Sequence, residues 1–145
     1  MNIRAWTACV AALALLCLGA PPVRADDAPL AAALRQAVEG NFAAYDHRAV
    51  DATLRSIDTK SPDYDSTKAV LADQFKDVGA TTTLVGFTYI GHDDEFAVAR
   101  VKAKTVGKTG SGFSDNTVDS IMIFHQQNGA WKLWSEEILG VQIPQ

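Results

Sequence analysis

The sequence predicts an α+β domain in which N-terminal helices pack on one face of an antiparallel four-stranded sheet. Apolar residues recur with helical spacing from Pro29 to Val78, whereas from Thr81 onward they alternate, as in strands with one buried face. Turn signals divide this second half into four short segments. Helices followed by a meander of strands place the helices together on one side of the sheet.

The first 25 residues have the pattern of a secretory signal peptide. A short basic start precedes an apolar run over residues 5–20, and Ala25 supplies the small residue before the cleavage site. The run is shorter than the roughly 20 residues that a membrane-spanning helix needs. We therefore expect export to the periplasm and a single mature domain of residues 26–145. A lipoprotein is the alternative, but Cys17 follows a leucine rather than a small residue.

The mature composition excludes several function classes. Both cysteines, Cys9 and Cys17, leave with the signal peptide, which excludes disulfides, thiolate catalysis and cysteine-ligated metals. Without Arg4 and Arg24 the chain carries 11 basic residues against 17 acidic ones, a net charge of about −6. Such a chain has no general attraction to nucleic acid or to an anionic membrane. The three histidines show no metal-ligand spacing, so we expect neither a metal nor another cofactor.

The helical half divides into three helices. Asp27 is the expected N-cap of the first, whose apolar stripe is Leu34, Val38, Phe42 and Tyr45. Asp46 is expected to cap a short second helix that holds Val50, Leu54 and Ile57. A third helix is expected to begin at Asp65 or Ser66 and to end at Gly79, because glycine adopts the left-handed backbone conformation at little energetic cost.

Four strands are predicted over residues 81–90, 95–106, 116–126 and 130–138. The last two are joined by Asn128-Gly129, the dipeptide of a two-residue hairpin turn. The segment Lys104–Asp115 contains three glycines and is expected to form a mobile hairpin tip.

Two stretches resemble the nuclear transport factor 2-like superfamily, which includes SnoaL-like proteins and ketosteroid isomerases. One is residues 41–54, Asn-Phe-Ala-Ala-Tyr-Asp-His-Arg-Ala-Val-Asp-Ala-Thr-Leu, and the other is residues 128–134, Asn-Gly-Ala-Trp-Lys-Leu-Trp. The resemblance implies a curved, cone-shaped sheet around helices, often with a pocket and often dimeric through the sheet. The isomerases' oxyanion-binding tyrosine corresponds to Asn41, and their carboxylate base lies where this chain has the polar turn 58–65. These departures argue against steroid isomerase chemistry.

The hairpin turn fixes the faces of the last two strands. With a two-residue loop, cross-strand partners sum to 257, so one face carries a small polar island of Ser120, Ser135 and Glu137 beside Met122. Asn41 and Tyr45 of the first helix are expected to reach the same cavity. The predicted ligand-binding set is therefore Asn41, Tyr45, Ser120, Met122, Ser135 and Glu137. Glu137 is the candidate acid or base, and the alternative is that its carboxylate simply reaches water.

The opposite face is too apolar for a solvated one. It is expected to carry Ile121, Ile123, Trp134 and Ile138, the pattern of an interface, and we predict a homodimer through these residues. The alternative is that residues 140–145 fold across it. Asp119 is expected to form an ion pair with Arg100, its predicted cross-strand partner.

The sequence thus predicts an exported SnoaL-like domain that binds a small, largely apolar molecule or acts as an interaction module. It shows no complete catalytic set, and an enzyme is the less favoured reading. The alternative function is a metal-free enzyme of isomerase, hydrolase or dehydratase type that uses Glu137 on a hydrophobic substrate.

Overall fold

The computed structural model describes residues 27–77 and 79–144, so the expected cleavage after Ala25 lies outside the described residues. It contains three helices, α1 (Ala28–Asp46), α2 (Val50–Arg55) and α3 (Tyr64–Asp77). Four strands follow: β1 (Ala80–His92), β2 (Phe96–Gly107), β3 (Asn116–Gln127) and β4 (Ala130–Gln142). They form one antiparallel sheet in the order β1-β2-β3-β4. The predicted α+β class, with N-terminal helices on a curved four-stranded sheet, is confirmed.

Within this described part of the chain, no helix is long and apolar enough to cross a membrane. Helix α1 packs against one face of the sheet, and α2 packs against α1. Helix α1 has Pro29 in its first turn and buries Leu34 and Val38. The face of the sheet that contacts α1, called the inner face here, carries alternate residues of β2 and β3. The buried cluster comprises Leu34, Val38, Ala97, Ala99, Val101, Met122 and Phe124.

Asp46 does not cap α2, so that prediction is wrong. It is the last residue of α1, and α2 begins after Ala49. Both carboxylate oxygens of Asp46 accept hydrogen bonds from the Thr82 N–H, at 2.9 and 3.0 Å. The Asp46 carboxylate therefore accepts from the backbone of β1 instead of from the first turn of α2.

The hairpin register is correct near the turn and wrong beyond it. Asn128 and Gly129 both have positive φ, 53° and 78°, as a two-residue turn of the predicted kind requires. The pairing then follows the predicted register as far as Phe124 and Leu133. Trp134 is an extra residue, because the next pair is Ile123 with Ser135. This bulge shifts Ser135 to Ile138 to the other face, and a second extra residue, Leu139, restores the predicted alternation from Gly140 onward.

Because of this shift, the predicted assignment of β4 residues is wrong on both faces of the sheet. Glu137 pairs with Ile121 and Ser135 with Ile123, so both lie on the outer face and not in the predicted inner island. Ile138 pairs with Ser120 and lies on the inner face, so it does not belong to the predicted dimer surface. The dimer through the other residues stays a prediction.

Two further expectations for the outer face have definite outcomes. Arg100 pairs with Ile121 and not with Asp119, so the predicted β2–β3 register is wrong by two residues. The predicted ion pair nevertheless forms on the diagonal, with Arg100 Nε and Nη2 donating to the two Asp119 oxygens at 2.8 and 2.7 Å. Residues 140–142 continue β4 and do not fold across the outer face.

Candidate functional site

A cleft of about 370 Å³ opens where the end of α1 and helix α3 meet the inner face of the sheet. We call it the Tyr45 cleft. Its wall combines polar and apolar side chains from α1, α3, all of the first three strands and the β2–β3 loop. The lining residues are Tyr45, Asp46, Gln74, Ala80, Thr82, Thr105, Phe113, Asn116 and Val118.

Tyr45 is held in place from the α3 side. Its hydroxyl donates to Gln74 Oε1 at 3.2 Å, and its ring meets the edge of the Phe75 ring with centroids 4.9 Å apart. Burial raises the pKa of Tyr45 above its usual value of 10.0. The phenol is therefore neutral at physiological pH and presents a fixed aromatic wall to the cleft.

The sheet side of the cleft is tied to α1 by Asp46. The two hydrogen bonds from the Thr82 N–H occupy both oxygens of this carboxylate, the only charged group in the lining. The Thr82 hydroxyl lies 3.3 Å from the Thr105 hydroxyl on the neighbouring strand. The charged group is thus partnered, and the threonine hydroxyls are the polar groups of this wall.

The β2–β3 loop brings Phe113 to the mouth of the cleft. The Gly107 N–H donates to Asp115 Oδ1 at 2.9 Å, which closes the loop. A Cβ at Gly107 would lie 2.6 Å from the Phe113 carbonyl oxygen, so only glycine permits this close approach. Between Gly107 and Phe113, Gly110 and Gly112 adopt the left-handed backbone conformation, with φ of 82° and 67°. The glycines predicted to form a hairpin tip therefore shape a specific loop beside the cleft.

The cavity expected around Asn41 is almost filled. Asn41 Nδ2 donates to Ser56 Oγ at 2.7 Å, and the cavity that both residues line has a volume of only about 10 Å³. Such a space holds about one water molecule at most. Its lining comprises Ala37, Val38, Asn41, Ser56, Met122, Phe124 and Leu133.

The predicted ligand-binding residues are therefore dispersed. Asn41 and Met122 meet at the small cavity, and Tyr45 lies in the separate cleft. Ser120 is buried on the inner face, as predicted. Ser135 and Glu137 lie on the outer face, and Glu137 is exposed, so it lacks the apolar surroundings from which an acid–base role was inferred.

A second polar arrangement, around Asp58, was not predicted. Asp58 is fully buried, and Ile57 before it forms a parallel bridge with Leu133 at the edge of the sheet. The Asp58 carboxylate accepts hydrogen bonds from the Lys60 N–H at 2.7 Å and from Gln127 Nε2 at 3.1 Å. Its other oxygen lies 2.6 Å from His125 Nδ1.

The environment of Asp58 contains opposing influences on its pKa. Burial raises the pKa, but the hydrogen bonds from His125 and the Lys60 N–H, with the charges of His125 and Lys132, outweigh burial and hold it below the usual value of 3.8. The carboxylate is therefore ionised at neutral pH and orients the His125 ring through Nδ1.

The Asp58–His125 pair fastens a connection to the sheet. The His125 ring packs against Phe96 and Trp134, with centroids 4.8 and 5.2 Å away. Ser61 Oγ donates to the Trp134 carbonyl oxygen at 2.6 Å, which adds a second attachment for the α2–α3 connection. Neither His125 nor Asp58 lines the Tyr45 cleft or the small cavity. Across residues 27–77 and 79–144, no group of three or more His, Cys, Asp or Glu side chains is arranged to hold a metal ion.

Local sequence patterns gave partial signals for the residues that were missed. Thr82 and Thr105 occupy inner-face positions of predicted strands, so their alternation could have placed them beside Tyr45. Asp58 follows an apolar residue directly after a helix, a pattern compatible with a short edge bridge. The position of Phe113 depends on the detailed path of the loop, for which the sequence offers only its glycines.

Solved structures confirm the fold that the resemblance to the nuclear transport factor 2-like superfamily implies. A Mycobacterium tuberculosis protein of unknown function is 9% identical with a TM-score of 0.70, over 87% of this chain and 78% of that chain. A candidate scytalone dehydratase from Novosphingobium aromaticivorans is 10% identical with a TM-score of 0.66, over 82% and 90%. An NTF-2-like protein of unknown function from Shewanella oneidensis is 11% identical with a TM-score of 0.59, over 74% and 96%. At these identities the likeness shows the fold alone.

Comparison at the level of sequence adds one match. A family model described as the anti-sigma-I factor RsgI9, C-terminal domain, matches residues 36–143. No curated protein sequence matches this chain. The matched range extends from within α1 to the residue after β4 and so includes every residue that lines the Tyr45 cleft.

Proposed function

This chain belongs to the family of the RsgI9 C-terminal domain, and we propose that it is an exported binding domain that receives a small neutral molecule in the Tyr45 cleft. The cleft carries the proposal because its volume of about 370 Å³ lies within the range of small-ligand sites. The cavity around Asn41, of about 10 Å³, is too small for any such ligand.

The chemistry of the lining favours an uncharged ligand with an apolar body. Tyr45, Phe113 and Val118 offer apolar surface, and the hydroxyl and amide groups of Thr82 and Asn116 offer a few polar contacts. The only charged lining residue, Asp46, would repel an anion, and both of its oxygens are already hydrogen-bonded. A neutral molecule avoids the cost of burying an unpaired charge.

Binding without catalysis is favoured over the enzyme alternative. The cleft is lined by no histidine, and its one carboxylate is engaged by a backbone N–H. Acid–base catalysis needs a titratable group that is free to exchange a proton with the substrate. The Tyr45 hydroxyl has a raised pKa and already donates to Gln74, and Glu137 lies on the other face of the sheet. The family is named after a domain of an anti-sigma factor, a regulatory protein, which also accords with a role in binding.

Export to the periplasm is part of the proposal and rests on the pattern of residues 1–25. In that compartment the mature domain would meet small molecules that enter from outside the cell. The absence of cysteine after residue 25 leaves the mature chain insensitive to the oxidising conditions there.

Obstruction of the cleft tests the proposal. We would titrate the protein with Nile red, a neutral apolar dye, and follow its fluorescence. Val118→Trp should weaken dye binding by at least about tenfold, because the larger ring occupies the volume that would receive the dye.

The matched control is Val106→Trp. Val106 is 40% exposed and pairs with the exposed Thr81 on the opposite face from Thr105, so this change should leave dye binding intact. Equal binding by wild type and Val118→Trp, with both variants folded by circular dichroism, would contradict the proposed site.

A further inference from the structure

A charged cluster on the outer face lies between two glycines of the sheet. One cross-strand row on this face consists of Gly86, Lys102, Asp119 and Gly140. Arg100, the preceding outer-face residue of β2, forms the ion pair with Asp119. We call Arg100, Lys102 and Asp119 the outer-face cluster. A glycine inside a strand has no side chain to pack and often marks a place where a ligand comes close to the backbone.

The two glycines leave a hollow on each side of the cluster. The hollow beside Gly86 has a volume of about 430 Å³, and the hollow over Gly140 has a volume of about 210 Å³. All three cluster residues line both hollows. A Cβ at Gly86 would lie 3.2 Å from the Lys102 Cβ, whereas a Cβ at Gly140 would meet open space. A side chain at position 140 would therefore fill its hollow without moving the cluster.

The cluster exposes its positive charges and covers its negative charge. The side chains of Arg100 and Lys102 are 54% and 46% exposed, whereas that of Asp119 is only 20% exposed. The hydrogen bonds from Arg100 lower the pKa of Asp119, so this carboxylate stays ionised at neutral pH. With two cations against one anion, the cluster is positive in a mature chain whose net charge is about −6.

The ion pair leaves charged hydrogen-bond donors available. Asp119 binds the planar guanidinium of Arg100 through Nε and Nη2, which fixes the direction of the remaining N–H groups. Lys102 Nζ lies 3.9 Å from Asp119 Oδ2, which is beyond hydrogen-bond distance. The Lys102 ammonium is therefore close enough to be held near Asp119, but its N–H groups are not used by this carboxylate.

The hollow over Gly140 supplies neutral donors as well. It is lined by Thr117 and Gln142, which are cross-strand partners on the outer face and carry a hydroxyl and an amide. Apart from the cluster, the described residues that line the other hollow include only one polar side chain, that of Thr88. Charged and neutral donors together are the groups that bind a phosphate or a carboxylate. This combination favours the Gly140 hollow.

We propose that the Gly140 hollow binds the phosphate or carboxylate group of a small soluble molecule, with Arg100 and Lys102 as its cationic donors. The volume of about 210 Å³ is below the roughly 300–1,000 Å³ of drug-sized sites and favours a compact anion. A long polyanion would also meet Glu137, which is exposed on the same face beside Ile121. The site lies on the opposite face of the sheet from the Tyr45 cleft and does not depend on the function proposed there.

Titration of the ¹⁵N-labelled protein at neutral pH tests the proposal, with sodium phosphate and, separately, sodium citrate as probes. Sodium chloride at the same ionic strength shows the shifts that screening alone produces. With phosphate or citrate, the amide signals of Thr117, Gly140 and Gln142 should shift further and saturate. Because the hollow is open to solvent, we expect a dissociation constant on the order of 1 mM.

Two substitutions should weaken this binding by at least about tenfold. Lys102→Met keeps an unbranched side chain but removes the ammonium, and its matched control is Lys104→Met. Lys104 is also an exposed lysine on the outer face of β2, but it pairs with Thr83 and Thr117 and lines neither hollow. This control should change the affinity by less than about threefold, because only a screened, more distant charge is lost.

Gly140→Leu fills the hollow and leaves every charge in place. Gly91→Leu is its control, because Gly91 is a strand glycine at which a Cβ also meets open space. Circular dichroism checks that both variants are folded. Gly140→Leu should lose phosphate binding, whereas Gly91→Leu should bind like the wild type.

Three results would overturn the proposal. The first is the absence of saturable shifts with either probe up to about 100 mM, beyond those that sodium chloride produces. The second is an equal loss of affinity in Lys102→Met and Lys104→Met, which would indicate a general attraction to positive charge. The third is binding to vesicles of phosphatidylglycerol that is lost in Lys102→Met, with no saturable response to phosphate or citrate. That result would identify a lipid surface and not a small soluble anion.

Discussion

Asp58→Ala should destabilise the domain strongly, because the buried carboxylate joins three donors from two parts of the chain. The His125 ring, the Gln127 amide and the Lys60 N–H all converge on it at 2.6 to 3.1 Å. The alanine leaves the His125 ring and the Lys60 N–H without this acceptor, whereas Gln127 Nε2 keeps its hydrogen bond to Thr59 Oγ1 at 2.8 Å. The α2–α3 connection would also lose one of its attachments to the sheet.

The expected loss follows from these contacts. A hydrogen bond to the ionised carboxylate contributes about 1.5–3 kcal/mol, and removal of one partner of a buried ion pair costs about 3–5 kcal/mol, so we expect a loss of about 3–5 kcal/mol. That is a large part of the roughly 5–15 kcal/mol by which a domain of this size is stable. The midpoint of thermal unfolding should fall by about 10–20 °C.

Urea unfolding followed by circular dichroism measures this change in the free energy of unfolding. Asp119→Ala is the matched control: it also removes an aspartate in an ion pair, but the Arg100–Asp119 pair lies on the outer surface where solvent screens it. Its effect should be far smaller. Equal destabilisation by the two substitutions would refute the reasoning that burial of Asp58 makes its bonds important.

Four further predictions use other parts of the structure. The pKa of Asp58 is lowered in the folded state, so its contribution to stability is present above the unfolded-state pKa of about 3.9. That contribution is lost as the pH falls through the lower folded-state pKa. The difference in unfolding free energy between wild type and Asp58→Ala, measured in urea, should therefore shrink from pH 7 to pH 3. Gly129→Ala should cost about 1–2 kcal/mol in the same assay because φ is 78° there, whereas Gly91→Ala, where a Cβ meets open space, should cost less. Glu137→Gln should leave Nile red binding unchanged, and a tenfold loss would return this carboxylate to the site. The intact mass of the exported protein should correspond to a chain that begins at Asp26, and a mass that includes Cys17 or a lipid would contradict the signal-peptide prediction.

The fold could be predicted because the patterns that specify it are periodic and local. Helical spacing, alternation and the Asn128-Gly129 turn each depend on residues close in sequence, and the four strands lie within a few residues of their predicted positions. The course of β4 beyond Leu133 could not be predicted, because a bulge at Trp134 is stabilised by contacts with distant residues. Ser61 binds the Trp134 carbonyl, and Phe96 packs on its ring.

The candidate site could not be predicted from the sequence either, because it also depends on contacts between distant residues. A shift of one residue in β4 exchanged the two faces, which removed Ser135 and Glu137 from the inner side. Tyr45 was identified from its place on the apolar stripe of α1, but the cleft beside it depends on the α3 and loop residues that complete the wall. Side-chain clusters assembled from distant segments, such as Asp58 with His125, carry no single sequence pattern.

The central claim is that the Tyr45 cleft, and not the filled cavity near Asn41, receives the ligand. Titration of ¹⁵N-labelled protein with indole, a neutral aromatic probe with one hydrogen-bond donor, tests it most directly. We expect amide shifts that grow with indole concentration and saturate at Thr82, Thr105 and Asn116, with little change at Asn41 and Ser56. Shifts confined to Asn41 and Ser56, or none at Thr82 and Thr105 up to millimolar indole, would contradict the claim.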